Sequence, residues 1–160
     1  SCLRPAYATM LLFTPAALFL CSGLVVVETL LTQEISVTRR AGQRASISCG
    51  GIDSCYSNTL VIWYQKRNTG TFERLLGIGT SDRRTFSFSH RQENDFSVEI
   101  QQNTCNLILR SSDVSHTASY YCSCYTYSST VLVFGPGTRL IVSDAALVPP
   151  VVHVYPAASL

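Results

Sequence analysis

The chain has 160 residues, room for one domain of about 100–120 residues plus flanks. It is 46% hydrophobic and 14% charged, with a formal net charge of +2 and basic residues in isolated pairs such as Arg39-Arg40 and Arg83-Arg84; that balance is too near neutrality for a nucleic-acid surface. Seven cysteines accompany three scattered histidines with no Cys-x-x-Cys pair, so no zinc ligand set exists, no cofactor is expected, and the cysteines point to an oxidising compartment.

An uncharged run from Met10 to Val27 comes first. The small residues Cys21, Ser22 and Gly23 suit signal-peptidase cleavage, so residues 10–23 are expected to be a signal peptide and residues 1–9 upstream leader sequence. The run is also nearly long enough to span a membrane as an uncleaved anchor. Residues 24–143 then read as a β domain. Ala45, Ile47 and Cys49 alternate with Ser46 and Ser48, as a half-buried strand does. Val61, Trp63 and Gln65 form the next inward set, and Gly70 marks the turn after it. Leu75 and Leu76 begin another strand. Cys105, Leu107 and Leu109 point inward, between Asn106 and Ile108. Tyr120 and Cys122 share a face, as do Leu140 and Val142, and Gly135 and Gly137 permit a bulge in the last strand. No stretch carries a helical period, and several short strands at this spacing predict an all-β sandwich. Ser143 to Val148 reads as a linker, and Pro149 to Pro156 as the first strand of a further domain, so residues 144–160 are expected to be the start of a truncated domain.

Enzymatic signatures are absent. No Gly-x-Ser-x-Gly elbow occurs, His90 and His116 have no nucleophile motif nearby, and Gly50-Gly51 does not form a phosphate-cradling loop.

Cys49, Trp63, the Tyr120-x-Cys122 pair and the Phe134-Gly-Pro-Gly-Thr138 segment form one set. It resembles the frame of antigen-receptor variable domains of the immunoglobulin superfamily. Ile35 to Cys49, Trp63 to Leu76 and Val133 to Val142 are similar to T-cell receptor gamma chains, and Asp144 to Pro156 resembles the start of a constant domain. The likeness spans about residues 28–156. Phe134 matches the joining segments of T-cell receptors and light chains, where heavy chains usually carry Trp. An immunoglobulin light chain, which binds antigen with a heavy chain, is the alternative. A non-rearranged adhesion module would share the fold, but not the joining segment followed by a constant-like start.

The resemblance implies an immunoglobulin variable-type Greek-key sandwich followed by the first strand of a truncated constant-type domain. It implies a Cys49–Cys122 disulfide between the sheets; closing a loop of that length contributes roughly 4 kcal/mol in the chain-entropy account. Cys55 and Cys124 would lie in neighbouring loops at one end of the sandwich, and a second disulfide is expected there, the alternative being a free thiol in each loop. Cys105 occupies an inward position where the family often has an apolar residue, and is expected to be a buried free thiol. At His116 the family usually has an Asp that pairs with an Arg, so that ion pair is not expected here.

Tyr64, Lys66, Phe72, Tyr121 and Phe134 are expected on the sheet face that packs, in the family, on a second variable domain. Lys66 and Phe72 differ from the Gln and Pro often found in light chains. The loops Gly51 to Asn58, Gly79 to Arg83 and Ser123 to Thr130 are expected to carry the binding surface. Their candidate contacts are Asp53, Tyr56 and Asn58, then Thr80, Ser81, Asp82 and Arg83, then Tyr125, Thr126, Tyr127 and Ser128. The tyrosines offer rigid amphipathic surface and the serines adaptable hydrogen bonds. The resemblance thus implies antigen recognition at the cell surface. The partners would be a delta chain, an antigen or antigen-presenting molecule, and signalling subunits attached through a membrane segment.

Overall fold

The computed structural model describes residues 30–128 and 131–145. Residues 1–29, 129–130 and 146–160, which include the expected leader, the expected signal peptide and most of the expected constant-type segment, lie outside the described residues. Among the described residues eleven strands carry the fold. They are β1 (Thr32–Gln33), β2 (Ser36–Arg40), β3 (Ala45–Gly50), β4 (Leu60–Lys66), β5 (Phe72–Gly79) and β6 (Thr85–Ser87). The second half adds β7 (Phe96–Gln101), β8 (Thr104–Leu109), β9 (Ala118–Tyr125), β10 (Leu132–Phe134) and β11 (Thr138–Ser143). One sheet runs β1-β3-β8-β7; the other runs β2-β11-β9-β4-β5-β6, with β10 paired to β9. This is the all-β variable-type sandwich.

Period-two alternation puts the core where the sequence pattern predicts it. Ala45, Ile47 and Cys49 of β3 are buried, and so are Val61, Trp63 and Gln65 of β4. Cys49 bonds Cys122 across the two sheets, with Cα atoms 6.3 Å apart. Trp63 lies opposite Cys122 in the β4–β9 register and is fully buried. Its indole N–H donates to Cys105 Sγ at 3.4 Å, and Cys105 is the free, buried thiol of the described residues.

Tyr120 and Gln65, the large polar side chains of this core, are paired, as burial demands, while Ser123 Oγ is buried with no hydrogen-bond partner. Tyr120 O–H donates to the His116 carbonyl at 2.7 Å. Gln65 Nε2 donates to the Tyr120 oxygen at 3.0 Å and to Gln92 Oε1 at 2.9 Å. Burial pushes the Tyr120 phenol up to about 12. Gln33, which the sequence pattern does not single out, stitches β1 to the strands of the other sheet. Its Oε1 accepts from the backbone N–H of Cys122 at 3.2 Å and of Gly137 at 3.1 Å, and its Nε2 donates to the Tyr120 carbonyl at 2.9 Å. Gly135 is required beside it: a Cβ there would overlap Gln33 Oε1 and stand 2.9 Å from Cys122 Sγ.

The structure differs from the sequence reading in three places. Strand β5 begins at Phe72 rather than Leu75, because a bulge between Trp63 and Tyr64 shifts the register and lets Phe72 pair with Lys66. Ile108 is 6% exposed although its parity faces away from Cys105 and Leu107. The short strands β1, β2 and β6 and strand β7 were not singled out, although Phe96, Val98 and Ile100 do alternate with polar residues in β7.

The corner at His116 is rebuilt with reversed polarity. His116 is buried, and its Nδ1 accepts from the Asp113 backbone N–H at 2.9 Å. Its Nε2 therefore carries the proton, and it lies 3.0 Å from Asp95 Oδ2. The acid now precedes β7 and the base sits at the corner. Replacing His116→Asp should face two carboxylates across that contact and remove the ring that caps Asp113. We expect a loss of about 1–2 kcal/mol, mostly recovered by adding Asp95→Arg; Asp95 is half-exposed, so the pair itself contributes less than a buried one. Thermal denaturation of the wild type, the two single variants and the double variant measures this coupling.

Candidate functional site

One end of the sandwich gathers three loops. The first begins at Gly51, whose backbone is left-handed at φ 83° and where a Cβ would overlap the Leu30 carbonyl. A single 3-10 turn, Ile52–Ser54, follows and buries Ile52. Asn103, in the turn between β7 and β8, holds this loop down. Its carbonyl accepts from Gly51 N at 3.1 Å, and its side-chain oxygen accepts from Asp53 N at 2.7 Å.

The first and third loops are fastened to each other. Cys55 bonds Cys124, with Cα atoms 5.8 Å apart, and both residues are shielded from solvent. A β-bridge joins Cys55 to Thr126. Tyr56 N donates to the Tyr125 carbonyl at 2.8 Å, and Tyr127 N to the Ser54 carbonyl at 3.3 Å. Beside the disulfide, the rings of Tyr56 and Tyr127 meet edge to face with centroids 4.7 Å apart. The Tyr127 oxygen accepts from Ser57 N at 2.7 Å and lies 2.6 Å from Ser57 Oγ. Those hydrogen bonds from Ser57, side chain first, hold the phenol below its ordinary range.

The second loop joins the same cluster. Asn58 N donates to Ser81 Oγ at 3.0 Å, Thr80 N to the Thr59 carbonyl at 2.9 Å, and Thr80 Oγ1 to the Tyr56 carbonyl at 3.1 Å. Asp82 turns its carboxylate back onto its own loop, where it accepts from Arg84 N at 3.0 Å. A Cβ on Gly79 would overlap that carboxylate.

Of the ten candidate contacts expected in the binding surface apart from Thr80, nine lie at this end with surface to offer; Tyr125 is 46% exposed and Tyr127 62%. Thr126 is the correction. It is fully buried, because its strand parity and its bridge to Cys55 turn it beneath the loop, so it supports the surface without presenting any. Asn103 and Ser57 hold the loops together and were not among the residues the sequence reading named. Gln102-Asn103 does carry a turn signal, but its reach to the first loop is a tertiary fact.

On the neighbouring sheet face, four rings form a chain. Tyr64 meets Phe134 at 5.3 Å, Phe134 meets Phe72 at 6.3 Å, and Phe72 meets Tyr121 at 5.0 Å. Lys66 Nζ stands 5.9 Å from the Phe72 centroid. Phe72 is 51% exposed and Phe134 42%. Gly137, at φ 91°, lets β11 pass against the Tyr121 ring, which a Cβ would overlap.

Residues 32–143 match the family described as Immunoglobulin V-set domain. The chain belongs to the immunoglobulin V-set family. It is 30% identical over 125 residues to the T-cell receptor gamma chain V region 5/10-13 of Mus musculus, covering 78% of this chain and 92% of that relative. It is also 30% identical over 112 residues to a second T-cell receptor gamma chain V region of Mus musculus, covering 68% of this chain and 82% of that relative. With a third mouse gamma chain V region, identity is 28% over 105 residues, covering 66% and 90%. The V-set domain is thus a T-cell receptor gamma-type variable domain, an antigen-receptor module of a family whose members are not enzymes.

The loop staple gives a direct expectation. Replacing both Cys55 and Cys124 with Ala should lower stability by about 2–4 kcal/mol while leaving the Cys49–Cys122 bond intact. Amide exchange at Tyr56 and Tyr127 should quicken more than in β4 and β9. Hydrogen-exchange mass spectrometry, with non-reducing peptide mapping of the remaining bond, reads both effects.

Proposed function

We propose that this chain recognises antigen at the cell surface as one half of a heterodimer with a delta chain. The observation that carries the reading is the ring chain of Tyr64, Phe134, Phe72 and Tyr121, with Phe72 and Phe134 exposed and the two tyrosines half-buried, set beside the stapled loops. Aromatic rings in contact and open to water are costly as a free surface, and aromatics are enriched in the cores of interfaces. A second variable domain covering that face would bring its own loops alongside Asp53, Tyr56, Tyr125 and Tyr127. The antigen, or the molecule presenting it, would then meet a surface made by both chains. The reading is one of binding: the loops offer phenols, hydroxyls and single charges to a partner. Signalling would pass to partner subunits through a membrane segment.

Co-expression with a delta chain tests the pairing. Phe72→Asp should weaken the heterodimer by about a hundredfold, seen by sedimentation. Val114→Ser, at an exposed site on the corner before β9, should leave pairing unchanged. Since Phe72 is half-exposed in the single chain, Phe72→Asp should shift that chain's own stability by no more than about 1 kcal/mol. Undiminished pairing of the Phe72→Asp chain would sink the reading.

A further inference from the structure

A groove of about 200 Å³ opens among the loops, floored by Ile52 and Cys55 and walled by the first, second and third loops and the β7–β8 turn. Two opposite charges face it. Asp53 lies on one wall and Arg83 on another, both exposed, and neither has an ionic partner among the described residues. Arg83 is held in place by its backbone. It adopts φ 58°, a left-handed conformation that a long side chain rarely takes, fixed by Arg83 N donating to the Gly79 carbonyl at 3.2 Å. Gln102, across the groove on the other sheet's turn, is also left-handed at φ 50°.

Several donors line the groove. Arg83 offers a planar fork of N–H groups and Gln102 an amide. The Tyr127 oxygen accepts from the Ser57 N–H, and when the Ser57 hydroxyl 2.6 Å away also donates to it, the phenol proton is left for a ligand. Ser81 Oγ accepts from Asn58 N, which leaves its proton free as well. Such a set fits one carboxylate, gripped by the guanidinium and finished by hydroxyl donors. Asp53 opposes a second negative charge, which disfavours phosphate and other dianions.

We propose that this groove is a carboxylate site that takes an acidic side chain of a protein ligand, with Arg83 as its ionic partner. The proposal rests on the reading of this loop end as the binding surface and names the chemistry of one part of it. It assigns recognition to residues of the first and second loops and the β7–β8 turn, with Tyr127 as the third loop's contribution. The Cys55–Cys124 bond then does more than order the loops. It sets Tyr127 at a fixed distance from Ser57 and so shapes one wall of the groove.

The test is a titration of the full oxidised chain, followed by amide chemical shifts. The probes are N-acetylglutamate amide, N-acetylglutamine amide, N-acetyllysine amide and N-acetylneuraminate. We expect the glutamate compound to shift Ser57, Arg83, Gln102 and Tyr127 together, with a dissociation constant on the order of 1–10 mM and binding at least about tenfold tighter than the glutamine compound. Arg83→Asn, which tolerates the left-handed backbone, should weaken it by about tenfold or more, while the spectrum of the core strands stays as in the wild type. Asp53→Asn should strengthen it severalfold by removing the opposing charge, a gain that a merely structural role for Asp53 would not produce. Equal response to glutamine, tighter binding of the lysine compound or of the neuraminate, or weaker binding in Asp53→Asn would each overturn the proposal. Failure here with intact delta-chain pairing removes the groove alone; glutamate binding without pairing removes the heterodimer and keeps the groove.

Discussion

The Cys49–Cys122 bond, with Trp63 laid against it, is the constraint on which the other features depend. It fixes the distance between two sheets that are otherwise joined by apolar side-chain packing and by a few hydrogen bonds, those of Gln33 and the one from Trp63 to Cys105. Once β3 and β9 are pinned, the parity of β9 is no longer free. Tyr120, Cys122 and Cys124 must face inward, while Tyr121 and Tyr125 face out. A slip of one residue would exchange the two sets. The same alternation therefore places the Tyr120 corner, the sheet pin and the loop staple on one side of the strand. Tyr121 of the aromatic face and Tyr125 of the loop surface fall on the other.

That coupling explains how a rigid core reaches into loops. Cys124 is the next inward residue after Cys122, so the strand that carries the pin also carries one anchor of the staple. Cys55 follows the 3-10 turn that begins after Gly51, close behind β3, so both ends of the second bond are led out by strands already joined by the first. The loops inherit their position from the core with few free torsions between. Order of that kind removes part of the entropic cost of binding before a ligand arrives. It also narrows the range of shapes that the first loop and the start of the third can adopt.

The alternation of β3, β4, β8 and β9 and the Cys-Trp-Tyr-x-Cys frame were legible in the sequence because they depend on period two and on residue types with few alternative uses. Strand β6 was not, because three exposed or half-buried residues at a sheet edge carry no inward signal. The start of β5 was hidden by a bulge, a register event that no local pattern encodes. Gln33 and Asn103 were invisible for a different reason. Each is an ordinary polar residue whose importance comes from backbone groups far away in the chain, on Cys122 and Gly137 for one and on Gly51 and Asp53 for the other. Thr126 shows the opposite error: composition made it a contact, and strand parity put it underneath.

Cys105 raises the question of how a free thiol survives beside a disulfide. Its register partner on β3 is Cys49 itself, so a thiol and a bonded sulfur occupy facing positions on one sheet. Exchange would require a thiolate, because only the ionised sulfur attacks a disulfide. Burial pushes the Cys105 thiol up to about 11, which outweighs the lowering effect of the Trp63 N–H that it accepts. Ionisation is thus suppressed at neutral pH by the same dry core that the disulfide holds shut. The arrangement is self-consistent in one direction only. While the sheets are pinned, Cys105 behaves as a small apolar side chain; if the core admitted water, the thiol would gain both its charge and a target. The stability of the pin and the inertness of its neighbour are therefore one property, set by the packing of Trp63 over both.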